Sequence, residues 1–226
     1  MRRPTSDIPE NVTEKVIQEY RQEGTHIFFR VTQYILDGQV VGQRAYDSSG
    51  RLMRETPLNN GHKHGREYIW DEAGHLESTE PYVNGQLHGL SRQYNRKGKV
   101  IGTYRFVHGR GYDVWRYERP DGSIGISEIH SLQDSAKHGF EWWLRDDQRS
   151  VWHERHWHQG KVHGIERIWN PEGRLKRGYP KFWIRNQAVS KRVYIKAAEK
   201  DKTLPEYRET DDRPERRFPV EVQSPT

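Results

Sequence analysis

One short phrase recurs along the chain and fixes what it can fold into. Asn60-Gly61-His62-Lys63-His64-Gly65 is followed by Asn84-Gly85-Gln86-Leu87-His88-Gly89, and later by Gln159-Gly160-Lys161-Val162-His163-Gly164. A worn copy is Lys137-His138-Gly139. Gly65 and Gly89 are 24 positions apart, a period that marks a repeat architecture. After each His-Gly glycine another glycine returns (Gly74, Gly98, Gly173), and two positions on stands Leu76, Val100 or Leu175.

Each copy holds two short runs rich in aromatic and β-branched residues, which suit strands. Asn-Gly between runs predicts a type I′ hairpin turn, because both central residues take positive φ there. Neighbouring strands joined by short turns have to be antiparallel. The expected strand pairs are Arg66–Trp70 with His75–Val83, Leu90–Tyr94 with Val100–Val107, and Tyr112–Tyr117 with Ile124–Leu132. Phe140–Leu144 with Ser150–His158 and Ile165–Trp169 with Leu175–Phe182 continue the series. A degenerate first copy runs from His26–Leu36 through Gln39–Tyr46 to Arg51–Leu58, with Gly42 standing for the His-Gly glycine. The predicted fold class is all-β: an elongated antiparallel meander of repeated hairpins forming a single sheet. Gly61, Gly65, Gly85, Gly89, Gly160 and Gly164 are the predicted structural turn residues.

The flanks read differently. Residues 1–25 form an N-terminal extension, loosely packed at its start, in which Val12, Val16, Ile17 and Tyr20 suit a short helix capped by Thr13; an edge strand over Lys15–Arg21 is the alternative. Residues 26–186 are the repeat array. In residues 187–226, Ser190 opens a helix over Lys191–Lys200 with Val193, Ala197 and Ala198 on one face. Pro205, Pro214, Pro219 and Pro225 make the remainder an extended or disordered arm, unless Tyr207, Phe218 and Val220 pin it to the sheet or a partner.

Composition narrows the function. Hydrophobic residues are 32% and charged residues 31%, too polar for a deep core but suited to a thin sheet. Eight Trp and twelve Tyr argue against disorder. With no Cys there is no disulfide framework, thiol nucleophile or Cys-bearing zinc site. The start lacks an apolar signal region and no run approaches a membrane span, so the expected compartment is the cytoplasm and no membrane insertion is expected. The net charge of +6 permits an anionic partner without requiring one.

The unit N-G-x-x-H-G, aromatic run, turn glycine, Leu or Val resembles the MORN-repeat variant of bacterial proteins usually labelled YwqK-family antitoxin components. The resemblance spans about residues 37–185, most clearly in the copies starting at Asn60, Asn84 and Gln159. It implies an elongated sheet of hairpins and binding rather than catalysis.

Twelve histidines invite a chemical reading. His64, His88, His138 and His163 recur at one repeat position, which suits a turn role, the ring packed on the next hairpin with one nitrogen bonded to backbone. His153, His156, His158 and His163 are denser. His156 and His158 share strand parity and could ligate a metal, but solvated or stacked rings are the commoner outcome, so no metal and no cofactor is expected. Asp71, Glu72, Asp146 and Asp147 sit in turns, and no nucleophile elbow or phosphate loop appears. The reading is a non-enzymatic protein-binding scaffold, such as an antitoxin, immunity or assembly component. Its partner-binding residues are expected at the tryptophan-rich stretch Trp142, Trp143, Arg145, Trp152, Trp157 and Trp169. The partner is another protein or a second copy of the chain. The alternative is single-stranded nucleic acid on Arg92, Lys97, Lys99, Arg105 and Arg110 with Tyr94 and Tyr104.

Overall fold

The computed structural model describes residues 6–21 and 28–223. It divides into two compact units, residues 1–108 and 109–226. Both are built from antiparallel strands joined in sequence order, with three short helical segments among the described residues, all in the second unit.

The first unit contains β1 (Thr13–Arg21), β2 (Phe28–Leu36), β3 (Gln39–Tyr46), β4 (Leu52–Asn59), β5 (His62–Lys63) and β6 (Gly65–Trp70). It continues with β7 (Leu76–Val83), β8 (Gln86–Leu87), β9 (Gly89–Tyr94) and β10 (Val100–Val107). Its principal strands pair in the order β1-β2-β3-β4-β6-β7-β9-β10, with β5 and β8 as short extensions beside β4 and β7. The expected N-terminal helix is not formed. Thr13–Arg21 is the edge-strand alternative, because β2 offers it a ladder from Thr13 opposite Ile35 to Arg21 opposite Phe28, with one register shift between Val16 and Gln18. Residues 1–5 and 22–25, the rest of that extension, lie outside the described residues.

The second unit runs β11 (Arg110–Glu118), β12 (Ile124–Gln133), β13 (Ala136–Leu144), β14 (Val151–His158), β15 (Lys161–Ile168), β16 (Lys181–Ile184) and β17 (Gln187–Val189). Each pairs with the next. The predicted strand Leu175–Phe182 is corrected. Leu175 makes only an isolated bridge to Trp169, and the chain turns at Gly178 and the cis Tyr179-Pro180 bond before pairing again at Lys181. Glycine at φ +85° and a proline without an N–H cannot extend a ladder.

Turn chemistry explains the uniformity. Asn60-Gly61, Asn84-Gly85 and Gln159-Gly160 all have two positive φ values, as do Asp134-Ser135 and Arg185-Asn186, which contain no glycine. The opposite turns are tied by a side chain. Asp47, Asp71 and Asn95, each 24 residues from the next, accept backbone N–H bonds from the residues two and four positions on. Gly42 does not occupy the turn position. It stands opposite Pro57, and Ile8 is seated so closely on it that a Cβ there would overlap the Ile8 side chain. Ile8 is buried there, so the described residues around it are anchored rather than loose.

The second unit is covered on one face by its own C-terminal segment. Helix α1 (Lys191–Ala198) starts at Ser190, whose hydroxyl accepts the Val193 N–H. The side chain it buries is Tyr194, packed on Phe182, whereas Val193 is 51% exposed. A 3₁₀ turn at Glu209–Asp212 leads into an arm that ends in α2 (Val220–Gln223). This arm is extended and docked, crossing the strands. Asp212 meets Arg167 on β15, Arg216 meets Glu154 on β14, Phe218 meets Trp142 on β13, and Val222 joins Val114 and Ile129 in the core.

Candidate functional site

The repeat first builds a buried carboxylate. The glutamate two positions after the His-Gly glycine is Glu67, Glu141 or Glu166, each no more than 4% exposed. Glu67 accepts from the Thr56 hydroxyl at 2.7 Å and pairs with Lys63 at 2.8 Å, while the Lys63 ammonium lies over the Tyr82 ring. Glu141 accepts from His130 Nδ1 at 2.6 Å and Trp157 Nε1 at 2.7 Å and pairs with Lys137. Glu166 accepts from His153, Arg155 and, at 3.0 Å, Trp183 Nε1. Burial alone would raise Glu141 and Glu166. The donors outweigh it and hold both Glu141 and Glu166 down at about 2. Such a carboxylate stays charged at neutral pH, saturated with donors, and has no proton to exchange with a substrate.

In the copies with His64, His88 and His163, the His-Gly histidine links to the next hairpin. Asn84 donates its backbone N–H to His64 Nδ1 at 3.4 Å, His108 to His88 Nδ1 at 3.2 Å, and Arg185 to His163 Nδ1 at 3.1 Å. Imidazole Nδ1 is therefore an acceptor in the turn of the following hairpin. The denser histidines are also engaged. His156 Nδ1 donates to the His163 carbonyl at 2.6 Å and its ring meets Phe140, while the His158 ring lies between those of His138 and His163. Among the described residues no group of three or more His, Cys, Asp or Glu is placed to hold a metal ion.

The tryptophan-rich stretch is divided between the two faces of its sheet. Trp142 is buried under Phe218 and donates Nε1–H to Glu154 at 2.8 Å. Trp169, 2% exposed, donates to the Asp212 carbonyl under the Arg216 guanidinium. Arg145 donates to the carbonyls of Asn170 and Pro171 and so ties two turns together. Trp157 is half-buried and held by Glu141. Trp143 lies on the other face from Trp142, stacked on His153 with centroids 4.2 Å apart, and Trp152, 43% exposed, leans on it at 6.2 Å.

Sequence reasoning left out Trp115. Register places Trp115 opposite Glu128, and Glu128 opposite Trp143, so the two indoles share a face, and Trp115 is 37% exposed. Both stand in the same repeat place as Ile69 and Ile168, the apolar residue after the third strand position, and that equivalence was the available signal. Exposed Trp115 and Trp152 flank half-buried Trp143 in an aromatic surface beside buried His130 and His153.

Of the nucleic-acid candidates, Lys97, Lys99 and Arg105 are exposed, but Tyr104 is buried with its ring edge against Phe106, so it offers no face for a base.

The fold and these links define a class of protein built from antiparallel β-hairpin repeats. The MORN repeat variant matches residues 63–84, the copy that carries the Lys63–Glu67 pair and the His64–Asn84 link. MORN repeats generally bind proteins or membranes. No curated protein matches the chain. Among solved structures, the Glycosylation Associate Protein (Gap123) complex from Streptococcus agalactiae is similar at 17% identity and a TM-score of 0.32, over 47% of this chain and 19% of that one. The chain thus spans about a fifth of that protein, and at this level the likeness does not bear on function. No helix among the described residues is long and apolar enough to cross a membrane.

Proposed function

We propose that the chain is a non-enzymatic protein-binding repeat scaffold, working in the cytoplasm as an antitoxin, immunity or assembly component. The single observation that carries the reading is the unequal use of the tryptophans. Trp142 and Trp169 are buried and, with half-buried Trp157, have their indole N–H bonded inside the fold, while exposed Trp152 and Trp115 flank half-buried Trp143 on one sheet, Trp115 keeping its N–H on the neighbouring Asp113 at 3.1 Å. Exposed aromatics over a rigid sheet are the composition of an interaction hot spot, where truncating an anchor costs about 2 kcal/mol or more. The partner surface is therefore Trp143 and Trp152, extended by Trp115. Trp142, Arg145, Trp157 and Trp169 support it from within.

The experiment is capture of partners from the native host by the tagged chain, compared with Trp143→Ala, Trp152→Ala and Trp157→Ala, with a melting temperature for each. Lost capture at unchanged melting is expected for the first two, and lowered melting for the third. Capture that survives both Trp143→Ala and Trp152→Ala removes the proposal. Binding of single-stranded DNA that falls steeply with salt would favour the nucleic-acid alternative.

A further inference from the structure

The second unit shows what its repeat surface accepts. Its arm is an extended, proline-bearing segment laid across the strands. Arg213 has φ −79° and ψ 150°, polyproline II values. Pro214 sits on the turn glycine Gly173, 3.4 Å from where its Cβ would stand, and Arg216 covers the Trp169 ring that closes that strand run.

The first unit carries the same positions three times. Tyr46, Trp70 and Tyr94 recur every 24 residues in the place of Trp169, and Gly50, Gly74 and Gly98 recur in the place of Gly173. Here they line a groove of about 730 Å³. Its floor includes Tyr68 and its rim Arg51 and His75. The three rings are half-buried, and no described residue stands within 4 Å of a Cβ at Gly50 or Gly74, where the second unit has its proline. Ser6 also lines the groove. Ser6 donates to Glu55 at 2.6 Å, as Arg216 does to Glu154. Arg30 stacks on Tyr46 at 4.6 Å and marks one end of the row.

Spacing selects the ligand. Tyr46, Trp70 and Tyr94 lie on β3, β6 and β9, with one strand between successive members, so they stand two strand spacings, about 9.6 Å, apart. A polyproline II helix advances about 9.3 Å per three-residue turn. A segment with proline at every third position would set one pyrrolidine ring against each aromatic ring, with no internal hydrogen bonds to break.

We infer that the Tyr46–Trp70–Tyr94 groove binds a proline-rich, polyproline II segment of a partner protein, crossing the strands as the arm does in the second unit. This rests on the protein-binding reading but uses a different surface from Trp143 and Trp152.

The test uses the full chain and two synthetic peptides of identical composition, one with proline at every third position and one with the prolines shuffled out of that frame. Binding is read by calorimetry or tryptophan fluorescence. The in-frame peptide is expected to bind at least tenfold more tightly. Trp70→Ala and Tyr94→Ala should each lose roughly thirtyfold at unchanged melting, and Trp143→Ala should bind the peptide normally. Equal affinity for both peptides, no binding by the natural chain, or unaltered binding in both groove variants overturns the inference. If Trp70→Ala fails to fold, Tyr94→Ala and the two-peptide comparison decide it. Peptide failure with intact Trp143-dependent capture sinks the groove alone. The reverse result sinks the Trp143 surface alone.

Discussion

The Arg185 backbone N–H donates to the Nδ1 of His163, 3.1 Å away and 22 residues earlier in the chain. On its other side, His163 Nε2 meets the Thr203 hydroxyl at 2.9 Å. One ring thus joins a repeat, the next hairpin and the C-terminal segment. His163→Ala leaves the Arg185 amide without its acceptor. The expected loss is about 1–3 kcal/mol, read as a lower urea midpoint. An unchanged midpoint would show that the link contributes nothing.

Acid should weaken the second unit before its carboxylates titrate. Burial, opposed by the bond to the His163 carbonyl, lowers His156 from 6.5 to about 4. Burial likewise lowers His163. Both are depressed in the fold, so their contribution is full above pH 6.5 and is lost as pH falls through the folded values. For His156 the effect is on the order of 3 kcal/mol between pH 6.5 and 4. Stability measured at stepped pH should decline across that window, and His156→Gln should flatten the slope. A flat profile from pH 7 to 4.5 contradicts the assignment.

Glu141→Ala would strand His130, Lys137 and the Trp157 indole around an uncharged hole. Removing one member of a buried ionic network costs about 3–5 kcal/mol, so a large fall in denaturation midpoint is expected. Restoration of most of that stability by Glu141→Gln would show that hydrogen bonding matters more than charge.

Gly61→Val and Gly85→Val should each destabilise by about 1–3 kcal/mol, because φ is +77° and +84° there. There is open space around Gly61, so its cost is one of backbone conformation. Gln86→Ala is the proper comparison and should melt close to the natural chain. Lys63→Ala will not, since it removes the partner of Glu67.

Removing residues 213–226 should expose Trp142 and Trp169 and lower the melting temperature of the second unit, with a red shift in tryptophan emission. Phe218→Ala alone should cost about 1–3 kcal/mol, as expected for an aromatic residue half-removed from water. Unchanged emission after truncation would mean that the arm does not cover the indoles.

The strand pattern was legible because turns in this chain are written in residues that tolerate positive φ, and Gln39–Tyr46 and Val100–Val107 coincide with observed strands. The sequence misled where partners rather than local preference decide. Thr13–Arg21 has helical spacing, yet it completes the ladder of β2. Leu175–Phe182 has strand composition, yet Gly178 and Pro180 break it. Gly42 looked like a turn residue because it stands one place from the true repeat position, and its purpose, a seat for Ile8, is a contact between residues 34 positions apart. Strand parity separated Trp142 from Trp143. Which of the two faces the arm would cover depended on Phe218 and Arg216, far away in sequence and unmarked by any period.

The histidine links also bear on how such chains change length. The copy beginning at Asn60 offers an imidazole acceptor to its successor, and the copy beginning at Asn84 offers both an amide donor to its predecessor and an imidazole acceptor to its successor, at equivalent places 24 residues apart. Excising or duplicating one whole unit therefore rejoins like with like, and every seam closes with the same bond. Gene-level slippage by that unit yields a chain with its hydrogen bonding intact, whereas slippage by any other number leaves a mismatched seam. Array length is in this sense a quantity inherited in whole steps, free to track the span of whatever lies along the sheet.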